Sequence, residues 1–159
     1  MTRQTLSTER AEYLRKKMKE ERGWTDKELD SLSPKQWRRL DRSGRFRDYD
    51  IIAEVVHVNH CAFKPTEGDK FVFRAGIILL PEESTFPAMC LWAMSRVVPF
   101  TFMILDRISE GVDPNDIWYD HVKCCDTGLE CGGMGEVLFR IYCEKVPVGK
   151  RFLLPYEVV

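Results

Sequence analysis

The sequence predicts an α+β fold, with a small, mainly antiparallel sheet, one packed helix and an N-terminal helical arm. Two β-branched runs precede an apolar helical segment that contains a proline, and two strand-like runs follow it. Strand, strand, helix, strand, strand is the element order of an α+β domain. A length of 159 residues and a hydrophobic content of 44% suit one compact domain with an appendage.

Residues 1–48 are predicted to form the helical arm. Helix starts are predicted at Ser7 or Thr8, at the sequence TDKE, which has capping-box spacing, and at SPKQW, which places a proline in the first turn. Gly23 is positioned to end the first helix. The apolar side chains of the arm are too few to form a core alone. The arm is therefore expected to dock on its own body or on another chain.

Residues 49–159 are predicted to form the body. The first strand covers Asp50 to Cys61, and the turn KPTEGD joins it to a second strand, KFVFRAGIILL. Pro87 is expected to open the helix, and Pro99 to kink or restart it before its end near Gly111. The runs IWYDHVKC and EVLFRIYCEKV are the last two predicted strands. The apolar tail PVGKRFLLPYEVV is expected to pack against the body or a partner.

Charge is distributed unevenly along the chain. The arm holds 14 basic against 9 acidic residues and the body 10 against 16, which gives net charges of about +5 and −6. Nucleic-acid binding by the arm is the third hypothesis for function, but acidic residues are interleaved with the basic ones at helical spacing, as is typical of a solvated helix. The charges fit better an interaction with a protein partner or within a homo-oligomer, held through the arm and the tail.

The sequence carries no recognisable targeting or membrane segment. Met1 leads into a polar stretch, so no signal peptide is expected and the protein is predicted to be cytoplasmic. Arg96 and Pro99 interrupt the apolar segment 86–105, which argues against a membrane span. In a reducing compartment the six cysteines are expected to be free thiols or ligands rather than disulfides.

Strand alternation sorts the candidate ligands of the first strand. On a regular strand, Val55 would share a face with His57 and Cys61, so an apolar surface would become a polar one at the end of the strand. In the last strand the same alternation places Cys143 on the apolar face, where it is predicted to be a small core side chain.

Three further cysteines are candidates for a site. Cys90 lies early in the central helix, where it either packs or is activated by the helix N-terminus. Cys124 and Cys125 cannot face the same way on an extended strand. Their spacings to Cys131 match no zinc ribbon, so the stretch HVKCCDTGLECGG is not a self-contained metal motif. Cys131 is interpreted as a loop thiol.

A metal site would have to be assembled from distant positions. Cys61, Cys90 and Cys124 converge if the hairpin, the helix start and the third strand meet at one end of the sheet. Together with His57 or Cys125 they would suit tetrahedral zinc, and a set of cysteines alone would also suit an iron–sulfur cluster. The residues leave open the alternative that the thiols hold no metal.

Familiar catalytic signatures are absent from the sequence. It contains no phosphate-binding loop with the following Lys and Ser or Thr, no nucleophile elbow and no HExxH motif. A cysteine-dependent enzyme with Cys61 or Cys90 as nucleophile remains the second hypothesis. His57 and Cys61 share a face on a regular strand, but their spacing along it is too long for direct proton transfer, so such a pair would need help from another element.

Three segments, HCAFKPTEGDKFVF, MCLWAM and VKCCD, resemble in order an uncharacterised family of short bacterial proteins common in anaerobes. Its members show a cysteine followed by Gly-Asp, then Cys-Pro-Trp, then Cys-Pro-Asp, and the resemblance covers roughly residues 50–145. It implies a fold and a triplet of Cys61, Cys90 and Cys124, and no reaction. Leu91 and Cys125 stand where the family has proline.

These observations favour an accessory subunit or binding module of a larger enzyme system. Its cysteine-lined site would hold zinc, an iron–sulfur cluster or no cofactor. The accessory-subunit interpretation rests on three features: a helical arm too small to form its own core, with Trp24 and Trp37, an apolar tail, and the lack of a complete catalytic constellation.

Overall fold

The computed structural model describes residues 7–147, which divide into two compact units, residues 7–44 and residues 45–147. The division falls at Gly44, whereas the sequence analysis placed it after residue 48. All but the first residue of the 3₁₀ turn Gly44–Asp48 belongs to the second unit, and Phe46 of this turn packs against the core of that unit. Most of the tail PVGKRFLLPYEVV, residues 148–159, lies outside the described residues, and so does its predicted packing.

The first unit contains three helices, α1 (Thr8–Arg22), α2 (Asp26–Asp30) and α3 (Pro34–Ser43). Each begins at a predicted cap. The Ser7 hydroxyl accepts the N–H of Arg10, and α2 and α3 both begin with reciprocal capping boxes. Gly23 ends α1 in the left-handed conformation, as predicted.

The second unit contains a five-stranded antiparallel sheet with the strand order β3-β2-β1-β5-β4. Its strands are β1 (Tyr49–Asn59), β2 (Lys70–Arg74), β3 (Ile78–Leu79), β4 (His121–Lys123) and β5 (Glu136–Lys145). Long β1 and β5 pair along most of their length at the centre of the sheet. The predicted α+β class with a small antiparallel sheet is confirmed.

Two predicted strands differ in extent from the observed ones. The run KFVFRAGIILL is not one strand, because Ala75 and Gly76 adopt left-handed conformations and turn the chain into the hairpin β2–β3. The run IWYDHVKC contributes only the three residues of β4, since Trp118 and Tyr119 before it are exposed and unpaired with the sheet.

A β-bulge in β1 overturns the predicted strand faces. Val55 lies opposite Phe139, but His57 lies opposite Leu138, so one extra residue interrupts the alternation between them. After the bulge Val58 points toward the core and His57 is exposed on the other face. The prediction that His57 shares a face with Val55 was therefore wrong.

The central helix, α4 (Leu91–Glu110), begins later than predicted and runs unbroken through its proline. Pro87 lies in the irregular segment before it, and Cys90 is the N-cap residue. Pro99 is on the exposed side of the helix, where water can bond the carbonyl that its missing N–H leaves free. The helix does not restart at Pro99, and its predicted end at Gly111 is confirmed. The kink at Pro99 stays a prediction.

The core of the second unit lies between one face of the sheet and the inner side of α4. The helix contributes Ala93, Val97, Ile104 and Ile108, and β5 contributes Val137, Phe139, Ile141 and Cys143. Aromatic rings from three segments meet in this core, with Phe71 stacked on Phe86 at 4.5 Å between centroids and Phe139 beside both. This packing fixes α4 over the sheet and so places its N-terminal turns near the end of β4.

Candidate functional site

The five predicted ligands fall into three environments. Cys61, Cys90 and Cys124 are partly buried, and all three pack against the core of the second unit. Cys125 is exposed, which fits the prediction that it and Cys124 diverge. The bulge leaves His57 exposed on the opposite face of the sheet. Cys61 lies beyond the end of β1, after the left-handed His60, and packs against the core, so the two predicted companions are separated.

The described residues do not bring these side chains into a liganding arrangement. Within residues 7–147, no three His, Cys, Asp or Glu side chains are grouped closely enough to hold a metal ion. Cys61, Cys90 and Cys124 therefore share a core without forming a metal centre in this conformation. Zinc or an iron–sulfur cluster at these positions stays a prediction.

Three thiols line one open depression beside β4, which we call the thiol depression. It has a volume of about 450 Å³, and its lining includes Arg96, His121, Lys123, Cys124, Cys125 and Cys131. Sequence reasoning interpreted Cys131 as a loop thiol and did not single out Arg96. The available signal was the density of cysteines in HVKCCDTGLECGG, but only the fold shows that α4 supplies a cation to the same depression.

The segment between β4 and β5, residues 124–135, is held in shape by the Asp126 carboxylate, and we call it the Asp126 loop. This carboxylate accepts the backbone N–H groups of Gly128, Met134 and Gly135 at 3.0–3.1 Å. The bond from Gly128 is the largest of the causes that lower the Asp126 pKa, and burial opposes them. These bonds give one defined shape to a loop that contributes only Cys124 to the packing against the core.

Two glycines allow the Asp126 loop to close tightly. A Cβ on Gly133 would lie 2.0 Å from the Asp126 Oδ1 atom and 2.6 Å from the Gly128 nitrogen. A Cβ on Gly135 would lie 2.6 Å from the His60 carbonyl oxygen, so the loop also rests on the chain leaving β1. Larger residues at these positions would displace the backbone that carries the thiols.

The two adjacent cysteines have different hydrogen-bond partners. The Cys124 sulfur accepts the N–H of Val137 at 3.3 Å, and its thiol lies 3.9 Å from the Asp126 carbonyl oxygen. The Cys125 sulfur lies 3.1 Å from the Ser95 hydroxyl on α4. Cys124 is thus tied to β5, and Cys125 is the thiol that meets the helix.

The charged groups around the depression differ in how far they are neutralised. Lys123 forms an ion pair with Glu136, which is the main reason that its pKa is raised, and the sulfurs of Cys131 and Cys124 add to this effect. His121 Nδ1 lies 2.6 Å from Asp120. Arg96 is exposed and has no carboxylate partner within residues 7–147. Its guanidinium is the cation that remains available to a ligand.

Asp120 supports the edge of the depression. Burial opposes its ionisation, but the bonds from His121 and from Arg140 together hold its pKa below the ordinary value. The Asp120 backbone carbonyl also accepts the N–H of Ile141 at 2.6 Å, which extends the pairing of β4 with β5.

Cys143 is not part of this site. It is buried on the core face of β5, as predicted, and burial raises the pKa of its thiol from 9.0 to about 12. The Asp113 and Asp50 carboxylates act in the same direction. A thiol that stays protonated in the core is a packing group rather than a nucleophile.

The outward side of α4 carries a cluster of large apolar side chains, which we call the α4 outer face. It consists of Leu91, Trp92, Val98, Phe102 and Met103, which are between 39% and 75% exposed. At 3.6 residues per turn these positions fall within an arc of roughly 140°. The same helix supplies Arg96 to the thiol depression, and its Ser95 hydroxyl contacts the Cys125 sulfur, so the two surfaces adjoin.

The basic side chains of α1 are largely paired within the first unit. Arg10 bonds Asp41 and Lys19 bonds Asp26, and the described pairs also include Arg15–Asp30, Lys16–Glu20 and Lys17–Glu21. Pairing of this kind leaves less free positive charge for phosphates than the count of basic residues indicates.

No known protein family, curated protein or solved structure matches this chain. The resemblance to the short proteins of anaerobes therefore stays a prediction. Within residues 7–147, none of the helices, α4 included, combines the length and apolarity that crossing a membrane requires.

Proposed function

We propose that the protein is a binding module, acting as an accessory subunit of a larger enzyme system, and that its ligand site is the thiol depression. The observation that carries the proposal is that Cys124, Cys125 and Cys131 line one open depression together with the unpaired Arg96. Thiols are the preferred ligands of zinc, Cu(I) and iron–sulfur clusters. The three sulfurs would have to come closer together than in this conformation to share one ion. The ligand class that fits this depression best is therefore a thiophilic one.

The α4 outer face supports the accessory-subunit part of the proposal. Large apolar side chains that cluster on a surface mark interaction sites more often than scattered ones do. Because Ser95 and Arg96 lie on the same helix, a protein that covers this face would also border the thiol depression. Docking and ligand binding would then take place at adjoining surfaces.

Zinc titration of the full chain, purified without oxygen, tests the ligand site. Zinc affinity is measured by competition with a chromophoric chelator for the unmodified protein and for Cys131→Ser and Cys61→Ser. We expect Cys131→Ser to weaken binding by about tenfold or more, because losing a direct ligand costs at least as much as losing a group that only orients one. Cys61→Ser serves as the matched control, since Cys61 is partly buried outside the depression.

Cys124→Ser is expected to weaken binding whichever set of cysteines is used. If Cys61→Ser and Cys131→Ser both remain folded and lose the same amount of zinc affinity, the result would favour a site that includes the predicted set of Cys61, Cys90 and Cys124. Zinc binding that none of these substitutions changes would contradict a ligand site at the depression.

Affinity isolation from an extract of the source cells tests the docking part. The unmodified chain and a Glu110→Gln control are expected to retain the same protein, and Phe102→Asp is expected to lose it. Phe102 is 67% exposed, so the substitution places a charge on the α4 outer face without disturbing the core. Retention by all three baits would show that this face is not the docking surface.

A further inference from the structure

A second property of the thiol depression concerns the class of small molecule that it accepts, and it rests on the proposed function in that both place a ligand there. We propose that Cys125 undergoes thiol–disulfide exchange with a low-molecular-weight disulfide that bears a carboxylate, and that the Arg96 guanidinium holds this carboxylate. The geometry that points to this is an exposed thiol and an unpaired cation lining one open depression.

Cys125 is the thiol best placed to react. Cys124 is partly buried and its sulfur already accepts the N–H of Val137. Cys125 is exposed, and its sulfur lies 3.1 Å from the Ser95 hydroxyl. Ser95 also donates to the Trp92 carbonyl at 3.0 Å, so its hydroxyl is held at the position where the Cys125 sulfur meets α4.

The charges around the depression leave Arg96 as the group that selects an anion. Lys123 is engaged by Glu136. The Asp126 carboxylate is turned toward three backbone N–H groups of its own loop, so it does not compete for the guanidinium. Arg96 follows Ser95 on α4, and its side chain lines the same depression as Cys125. A guanidinium binds a carboxylate through two parallel N–H donors, which orients the bound molecule as well as attracting it.

The exchange step is balanced without any further oxidant. The Cys125 thiolate attacks one sulfur of the disulfide, so a bond forms between Cys125 and that sulfur while the original S–S bond breaks. The other half of the disulfide leaves as a thiolate and takes up the proton that Cys125 released. Cys125 is oxidised to a mixed disulfide, and the leaving half is reduced to a thiol.

The test compares an anionic with a cationic disulfide on the full chain. The protein is reduced, desalted and mixed with oxidised glutathione or with cystamine, and the mixed disulfide is followed by intact mass and located by peptide mapping. We expect oxidised glutathione to modify Cys125 first. Arg96→Gln should lower its rate by about fivefold, the effect of one charge pair in water, and leave the cystamine rate unchanged or higher. Arg96→Lys should retain most of the rate.

Arg39→Gln is the matched control, because Arg39 is an exposed arginine of α3 in the first unit. The ratio of the modification rates with the two disulfides is compared between variants, because a change in the intrinsic reactivity of the thiol cancels in this ratio. An equal fall for both disulfides in Arg96→Gln, the same fall in Arg39→Gln, or first modification at Cys131 would each overturn the proposal.

The outcome can be separated from that of the proposed function. Arg96→Gln removes no thiol, so zinc binding by this variant is expected to match the unmodified protein. A normal zinc response without any anion preference would refute the exchange proposal alone. An anion preference in a protein whose zinc binding ignores Cys131→Ser would refute the proposed ligand site alone.

Discussion

Replacing Gly133 by alanine should disturb the Asp126 loop without touching any thiol. The added Cβ would lie 2.0 Å from the Asp126 Oδ1 atom and 2.6 Å from the Gly128 nitrogen. The carboxylate can rotate away, but it then loses its bonds to Gly128 and Met134. The Gly128 nitrogen belongs to the backbone, so the loop itself also has to move.

The expected cost follows from this geometry. Inserting a methyl group into a closely packed site costs about 1–3 kcal/mol when the backbone has to shift. For a chain of this length, about 2 kcal/mol corresponds to a fall in Tm of roughly 4–8 °C. Thermal unfolding followed by circular dichroism measures the shift.

The reactivity of Cys124 is the more specific measurement. Its sulfur bonds the Val137 N–H at the point where the Asp126 loop enters β5. When the loop moves, Cys124 is expected to react faster with a chromogenic aromatic disulfide, and partial labelling with peptide mapping identifies it among the other cysteines.

Gly132→Ala is the control for this prediction. Gly132 has φ +82° and nothing within 4 Å of an added Cβ, so alanine there brings backbone strain of about 1–2 kcal/mol without a clash. We expect it to lower Tm and to leave the labelling of Cys124 unchanged. If Gly133→Ala were as stable as the unmodified protein and labelled at the same rate, the Asp126 carboxylate would not be what shapes the loop.

Two further predictions concern groups outside the site. Arg74→Met is expected to lower the free energy of unfolding by about 3–5 kcal/mol, because it strands the buried Asp50 carboxylate that Arg74 bonds at 2.8 and 2.9 Å. Chemical denaturation should show most of this loss recovered in Arg74→Met/Asp50→Leu, and a double variant as unstable as the single one would contradict the explanation. Above pH 9.0, stability should fall by up to about 1.4 kcal/mol per pH unit, because the unfolded chain releases the Cys143 proton at its ordinary pKa while the folded chain keeps it to about 12. Urea denaturation below and above pH 9.0 measures this fall in stability. The fall should be absent from Cys143→Ala and present in Cys125→Ala. If it persists in Cys143→Ala, Cys143 is not its cause.

Local chemistry made the arm predictable from sequence. Ser7, Thr25 and Ser33 each precede a helix and each bonds a backbone N–H within its first turn. A cap acts over three residues, so its sequence signal is complete by itself. The alternation in β5 was equally predictable from sequence. This strand is unbroken, pairs with β1 along its whole length and has one buried face.

The faces of β1 could not be read in the same way. The run VVHV around the bulge consists of residues that fit a strand on either face, and the extra residue is revealed only by the pairing with β5. One inserted residue moves the later side chains of the same strand, up to Asn59, to the other face. The displacement of His57 from the expected surface follows from this single step.

The helix start was misplaced for a related reason. Pro87 is a favourable first helical residue, but residues 81–90 form turns and irregular structure instead of a helix. In this conformation Phe86 packs in the aromatic cluster of the core. Tertiary packing thus outweighed a local signal. Cys90 became the N-cap of α4 and packs against the core instead of lying on a helical face.

The thiols that do share a surface are those near the end of β4 and in the loop that follows it. Because the Asp126 loop is held by hydrogen bonds to one carboxylate rather than by a core of its own, Cys125 and Cys131 can stay exposed at defined positions. The helix that borders them carries apolar side chains on its outward side. A partner that buries the α4 outer face would therefore narrow the opening of the thiol depression and change the access of small molecules to Cys125. Docking and thiol chemistry would be coupled through steric access alone, without a change in the fold.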